Sequence, residues 1–129
     1  MPDIDRDRAQ NAYDAVISAK RDEKIKDDKF KTWAQKLPTL ILNNGLLPAI
    51  AFLDSKKKEK AYEHVSSKCK DWLSLATGGA LVIPWAANAN PDVKRRLMAE
   101  DSSVYRCAEA EAIAWASWLK RFAESEIED

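Results

Sequence analysis

The chain has 129 residues, of which 33% are charged and 46% are hydrophobic. This balance excludes an intrinsically disordered chain, and the length predicts a single domain over residues 1–129. The 21 Lys and Arg residues match the 21 Asp and Glu residues, so the formal net charge is zero. That balance does not fit a protein that binds nucleic acid by itself, because such proteins rely on an excess of cations. With only 3 glycines and abundant helix-forming residues, the composition predicts an all-α fold.

The first ten residues, MPDIDRDRAQ, lack the apolar core of a secretion signal. Cys69 and Cys107 stand far apart and do not form a CxxC pair. We therefore expect reduced thiols in a cytoplasmic protein.

Apolar residues at helical spacing predict a first amphipathic helix over about residues 5–24. A second helix is expected from Asp28, a suitable N-cap, to Leu37. Pro38 is expected to end this helix, because the residue before a proline is disfavoured in the α region.

The most apolar passage is KLPTLILNNGLLPAIAFLDSKKKEK, residues 36–60. Its apolar part is too short for a membrane helix and is broken by Asn-Asn-Gly. Its one glycine does not make a phosphate-binding loop, which needs several glycines before a lysine. We instead predict two short helices, one from Pro38 to Gly45 and one with Pro48 in its first turn, at the centre of the core.

The second half of the chain predicts three more helices. A long helix is expected over residues 57–76, and residues 77–91 are expected to form an irregular loop, although a short strand at 81–83 is possible. Asn90-Pro91 should start a short helix, and Ser102 or Ser103 should cap a last helix that runs to about residue 126. Residues 124–129 are expected to be a frayed tail. The predicted fold is therefore a single compact all-α domain of six to seven helices.

No pattern of titratable residues predicts catalysis. His64 is the only histidine and is expected at the surface, with no second base or ligand in sequence reach. Glu109 and Glu111 point in different directions on a helix and are interpreted as part of a charged solvent face. We therefore expect no catalytic residue, no metal and no cofactor.

Five tryptophans are many for this length. Trp33, Trp72 and Trp115 follow the apolar stripes and are expected in the core. Trp85 and Trp118 are less well placed and are candidates for a subunit interface. Trp118 precedes Lys120 and Arg121 and could stack on a base or anchor a partner, or belong to a second buried helix face.

A dense lysine run follows the apolar passage. Residues 56–70 contain six lysines against two glutamates, a local excess of four positive charges. Such a run usually forms a solvated helix face. The alternative interpretation is that it contacts a phosphate backbone, which would position a nucleic-acid strand without reading its sequence. The candidate nucleic-acid-binding residues are Lys56, Lys57, Lys58 and Lys60, followed by Lys36, Lys120 and Arg121.

Two blocks, KLPTLILNNGLLPAIAFLDSK and VYRCAEAEAIAWASWLKRFAE, carry a family resemblance. The chain resembles the small subunit of the Cmr-type (type III-B) CRISPR RNA-silencing complex over about residues 28–73 and 104–124. The matching positions are Leu37-Pro38, Gly45-Leu46, Ala51-Phe52-Leu53 with Lys56, Tyr105-Arg106, and Trp118-Leu119-Lys120-Arg121-Phe122-Ala123.

This resemblance implies a small all-α protein without catalytic activity. Its expected partners are other Cmr subunits, further copies of itself stacked along the effector filament, and the backbones of the guide RNA and target RNA. It implies no membrane partner and no small-molecule substrate. Three alternatives remain open: the related type III-A small subunit, which the resemblance also allows, a small helical RNA-processing enzyme, and a DNA-binding protein using VKRRLMAE.

Overall fold

Helices supply the regular secondary structure of residues 4–75, 83–85 and 91–128, the part of the chain that the computed structural model describes. No strand occurs in those ranges. The all-α prediction is therefore confirmed. The helices are α1 (Ile4–Arg21), α2 (Asp27–Asn44), α3 (Leu46–Ser55), α4 (Lys60–Leu75), α5 (Val93–Ala99) and α6 (Ser102–Glu126).

The prediction that Pro38 ends the second helix is wrong, because α2 continues through this proline to Asn44. An interior proline costs ~3 kcal/mol or more, since it removes a hydrogen bond and crowds the preceding turn. The gain that offsets this cost is a continuous buried stripe on both sides of the proline, in which each Phe, Leu or Ile side chain contributes about 1.5–3 kcal/mol when fully buried. The stripe consists of Phe30, Ala34, Leu37 and Ile41.

The predicted break at Gly45 and the following helix are confirmed. Gly45 has a φ of 93°, a conformation that side chains disfavour, and this lets the chain turn directly from α2 into α3. The first two amides of α3 donate to α6: Leu46 N lies 2.9 Å from Glu109 Oε2, and Leu47 N lies 2.9 Å from Tyr105 Oη. Because these amides have no partner within their own helix, α6 caps α3.

The boundaries of α4 and α5 differ from the prediction. Helix α4 begins at Lys60 rather than residue 57, since residues 56–59 form a turn. Asp92 caps α5, and its carboxylate accepts a hydrogen bond of 3.0 Å from Lys94 N, whereas Asn90, the predicted start signal, lies outside the described residues. Most of the predicted loop at 77–91, including most of its possible strand, lies outside the described residues. Of this loop the structure describes residues 83–85 and 91.

The last helix ends at Glu126, as predicted, but its N-cap differs from the prediction. Asp101 is its N-cap instead of Ser102 or Ser103, because its carboxylate accepts from Ser103 N and Val104 N at 3.0 Å each. Of the tail predicted to be frayed, residues 124–126 are helical, and residue 129 lies outside the described residues. Helix α6 continues to Glu126, and Ile127 is 3% exposed, with its carbonyl accepting from Lys31 Nζ at 2.9 Å.

Helix α6 forms the centre of the domain, with α1 and α2 packed along it and α3 and α4 completing the core. The interpretation of Glu111 as a solvent-facing residue is wrong, because its side chain is fully buried at this centre. Its carboxylate accepts from Arg8 Nη2 at 2.8 Å and from Trp72 Nε1 at 3.0 Å, and Arg8 Nε donates to it as well. The hydrogen bonds from this charge pair raise the pKa of Arg8.

None of the helices in the described ranges is both long enough and apolar enough to cross a lipid bilayer.

Candidate nucleic-acid interface

The candidate interface centres on the lysine turn, which we define as residues 56–60 between α3 and α4. The backbone reverses here through hydrogen bonds from Lys57 N to Asp54 O at 3.3 Å and from Glu59 N to Lys56 O at 2.9 Å. All four lysines of this turn are exposed. Lys56, Lys57 and Lys58 line one groove, and Lys58 and Lys60 line a second one.

Asp54 fixes the start of the lysine turn. Its carboxylate accepts from Ser66 Oγ at 2.6 Å and from Lys70 Nζ at 2.9 Å, and it pairs with Lys94 Nζ at 2.7 Å. Partial burial works to raise the pKa of Asp54, but the hydrogen bonds from these three partners outweigh it and lower the pKa to about 2. One carboxylate therefore joins α3, α4 and α5 beside the turn, and Lys70 serves this anchor rather than the exposed surface.

Three lysines that the sequence analysis did not select share the surface of the lysine turn. Lys24 and Lys26, in the turn between α1 and α2, and Lys29, in the first turn of α2, line one groove together with Lys58 and Lys60. The stretch around residue 26 contains nearly as many acidic as basic residues, so its local net charge did not indicate a polyanion-binding site. Only the fold places this turn next to the lysine turn. We call the combined set the lysine surface: Lys24, Lys26, Lys29, Lys56, Lys57, Lys58 and Lys60.

Carboxylates such as Asp22, Glu59 and Glu63 also line the grooves around the lysine surface, but few of its lysines pair with them. Lys29 pairs with Glu59 at 3.0 Å and Lys60 with Glu63 at 3.3 Å, and all four side chains are exposed enough for water to weaken these pairs. Within the described ranges, Lys24, Lys26 and residues 56–58 form no ion pair with a carboxylate. These ammonium groups are therefore available to an external polyanion.

The structure brings only one of the three remaining candidates towards the lysine surface. The ammonium of Lys36 lies 5.0 Å from the ring centre of Trp33, and Trp33 contacts Tyr62, which lines the groove beside the lysine turn. Lys120 and Arg121 are exposed but lie on α6, where Arg121 covers Trp118 at 5.5 Å. Neither lines the grooves formed by the lysine surface.

The two interface tryptophans are half-buried and have partners within the chain. Trp118 Nε1 donates to Asp5 Oδ1 at 3.0 Å, and its ring stacks on Phe122 with centroids 5.6 Å apart. Trp85 Nε1 donates to the Leu73 carbonyl at 3.3 Å, and Arg96 lies 5.4 Å from its ring. Each ring remains partly accessible, so a role in subunit contacts stays a prediction.

Two of the three tryptophans expected in the core, Trp72 and Trp115, are buried, whereas Trp33 is half-buried. His64 was expected at the surface and is also half-buried. Its Nε2 lies 2.9 Å from the Ala15 carbonyl, and burial lowers its pKa.

The described residues contain no cluster of three or more metal-ligating side chains.

The fold and the site define a class: a small all-α domain held together by a central helix, with cations gathered at two adjacent turns. Comparison with known proteins gives the family. The family model for CRISPR-associated protein Cas_Cmr5 matches residues 4–126. The chain is 31% identical over 119 residues to CRISPR system Cmr subunit Cmr5 of Thermotoga maritima, covering 90% of this chain and 76% of that protein. It is 30% identical over 121 residues to CRISPR system Cmr subunit Cmr5 of Thermus thermophilus, covering 94% and 93%.

The chain therefore belongs to the Cmr5 family. This confirms the family that the sequence resemblance indicated, the small subunit of the type III-B Cmr complex.

Proposed function

We propose that the chain is a non-catalytic small subunit of the type III-B Cmr ribonucleoprotein complex in antiviral CRISPR defence. In this role its lysine surface contacts the ribose-phosphate backbone of the guide RNA–target RNA duplex. The observation that carries the proposal is the lysine turn, whose exposed ammonium groups lie beside those of Lys24, Lys26 and Lys29.

The proposed contact positions RNA without reading its sequence. Lysine ammonium groups interact with phosphates as point charges and release the counterions condensed on the RNA, so each contact contributes affinity that falls as salt rises. Because the net charge of the chain is zero, one copy binds weakly. Copies stacked along a filament would present one lysine surface after another, and such linked weak contacts multiply into a strong interaction.

The non-catalytic role is supported by the way the chain uses its titratable side chains. Glu111 and Asp54 are engaged with internal cations, and His64 contacts a backbone carbonyl. These groups hold helices together, which suits a structural subunit. Trp118 and Trp85, each half-buried with a cation beside the ring, are our candidates for contact with other Cmr subunits or with a further copy of the chain.

The test is RNA retention by the reconstituted Cmr complex. A variant carrying Glu at positions 56, 57, 58 and 60 should assemble with the other subunits but retain less guide–target duplex. As a matched control, Lys20→Glu and Arg106→Glu reverse two exposed cations that do not line the grooves of the lysine surface. The control should retain RNA at the wild-type level. Unchanged retention by the lysine-turn variant would remove the proposed contact.

A further inference from the structure

Three half-buried aromatic rings form a cluster where α2, α3 and α4 meet, and we call Trp33, Phe52 and Tyr62 the aromatic cluster. The ring centroids of Trp33 lie 4.9 Å from those of Tyr62 and 5.3 Å from those of Phe52. The ring centroids of Phe52 and Tyr62 are 6.4 Å apart. A core position would bury such rings completely, as it does Trp115, whereas these three keep part of their surface accessible.

The aromatic cluster lies between two grooves. On one side Tyr62 lines the groove that also contains Lys29 and residues 56–58 of the lysine surface. On the other side Trp33 lines a second groove with Lys36, Gln35 and Asn43, which we call the amide groove. Cations therefore flank the rings on both sides, and side-chain amides lie on the side of Trp33.

This combination matches the chemistry of an unpaired nucleotide. Proteins that hold single strands join a cationic groove for the phosphates to aromatic rings on which bases stack. Amide side chains can both donate to and accept from the edge of a base. A base within a duplex has both faces stacked and its pairing edge occupied, so it cannot use a ring and an amide at the protein surface.

The position of Lys36 indicates where the base would stack. Its ammonium lies 5.0 Å from the ring centre of Trp33, in a cation–π contact at an exposed position. Such a contact is weak in water, and a base can take its place while the flexible lysine turns to a neighbouring phosphate. The exposed amide of Asn43 in the same groove would then meet the edge of the base.

We infer that the aromatic cluster and the amide groove form a binding site for an unpaired ribonucleotide, continuous with the lysine surface. The inference rests on the proposed function and extends it: the lysines hold the backbone, and Trp33 stacks on a base that leaves the duplex or lies beyond its end.

The test compares two labelled strands of about eight nucleotides, within the usual span of single-strand sites, by fluorescence anisotropy with the full chain at low salt. One strand is oligouridine, and the other has the same ribose-phosphate backbone without bases. Stacking predicts that the wild-type chain binds oligouridine about tenfold more tightly than the abasic strand. Trp33→Leu should abolish this preference and leave binding of the abasic strand unchanged.

Several controls separate stacking from folding and from charge. Trp33→Phe keeps a ring and should retain most of the preference. Unchanged binding of the abasic strand by Trp33→Leu, with an unchanged circular dichroism spectrum, shows that the loss of preference in that variant is not misfolding. Trp118→Leu tests the other tryptophan considered for base stacking. Because Trp118 does not line either groove, the preference of the isolated chain should persist in this variant. Lys57→Glu with Lys58→Glu should weaken binding of both strands equally.

Equal binding of the two strands by the wild-type chain would overturn the base site. It would not affect the proposed backbone contacts, which the RNA-retention assay tests separately. Loss of the preference in Trp118→Leu instead of Trp33→Leu would also overturn it, because the base would then stack elsewhere. So would binding of neither strand, or an unchanged preference in Trp33→Leu.

Discussion

Replacing Glu111 by alanine should destabilise the domain more than any surface change. The carboxylate is fully buried and accepts hydrogen bonds from Arg8 and Trp72. Without it the guanidinium of Arg8, which is 13% exposed, loses its main partner, and the indole N–H of Trp72 loses its acceptor. Removing one partner of a buried ion pair costs about 3–5 kcal/mol.

Asp5 remains 2.9 Å from Arg8 Nη1 and compensates part of the loss, so we expect about 3–4 kcal/mol for Glu111→Ala. A typical domain has only about 5–15 kcal/mol of unfolding free energy, so this change uses a large share of it. The assay is urea unfolding at neutral pH, followed by circular dichroism and tryptophan fluorescence.

The matched control replaces both partners by apolar residues, Arg8→Met with Glu111→Leu. A buried ion pair can often be exchanged for packed hydrophobic side chains at little cost. The unpaired indole N–H of Trp72 adds about 1–3 kcal/mol, so we expect the double variant to lie within about 3 kcal/mol of wild type and above Glu111→Ala. A loss below about 1 kcal/mol in Glu111→Ala, or a double variant as unstable as the sum of the two single changes, would contradict this reasoning.

Three further predictions use the same geometry. Asp54→Asn should lower the unfolding free energy by about 2 kcal/mol at pH 7, since the folded-state pKa of about 2 lies below the reference value of 3.8. That contribution is present above about pH 4 and is lost as the pH falls towards 2. The unfolding free energies of wild type and variant should therefore converge at acid pH, and a difference that stays constant with pH would contradict the prediction. A thiol reagent should modify exposed Cys107 rapidly and Cys69 only after unfolding, because Cys69 is buried and burial raises its pKa to about 12. In the Cys107→Ser variant Cys69 remains as a thiol, and fast labelling of the folded variant would contradict this prediction. Gly45→Ala should cost about 1–3 kcal/mol in thermal or urea unfolding because of the positive φ, whereas an unchanged midpoint would show that the turn adapts.

Local signals predicted the elements that depend on local physics. The Asn-Asn-Gly sequence ends α2 because Gly45 adopts a positive φ, and Pro48 is tolerated because it lies in the first turn of α3. The lysines after Ser55 were expected to be exposed because nothing apolar accompanies them, and they are. The two blocks that carry the family resemblance also contain the residues that join α3 to α6.

Tertiary effects account for what the sequence did not predict. Pro38 lies inside a helix because burial of the stripe on both sides outweighs the local cost of the proline. Glu111 lies in the core because Arg8, more than a hundred residues earlier in the chain, supplies its counter-charge. Lys26 joins the lysine surface only because two distant turns pack side by side. Each of these features depends on a partner remote in sequence, which residue spacing cannot reveal.

The most direct test of the backbone contacts is the salt dependence of RNA binding by the reconstituted Cmr complex. Lys57→Gln with Lys58→Gln removes two charges of the lysine turn without adding carboxylates. If these lysines contact phosphates, the slope of log affinity against log salt should fall by about one for each contacting lysine in each copy of the subunit. An identical slope for wild type and variant would show that Lys57 and Lys58, at the centre of the lysine turn, do not touch the RNA backbone, which contradicts the account.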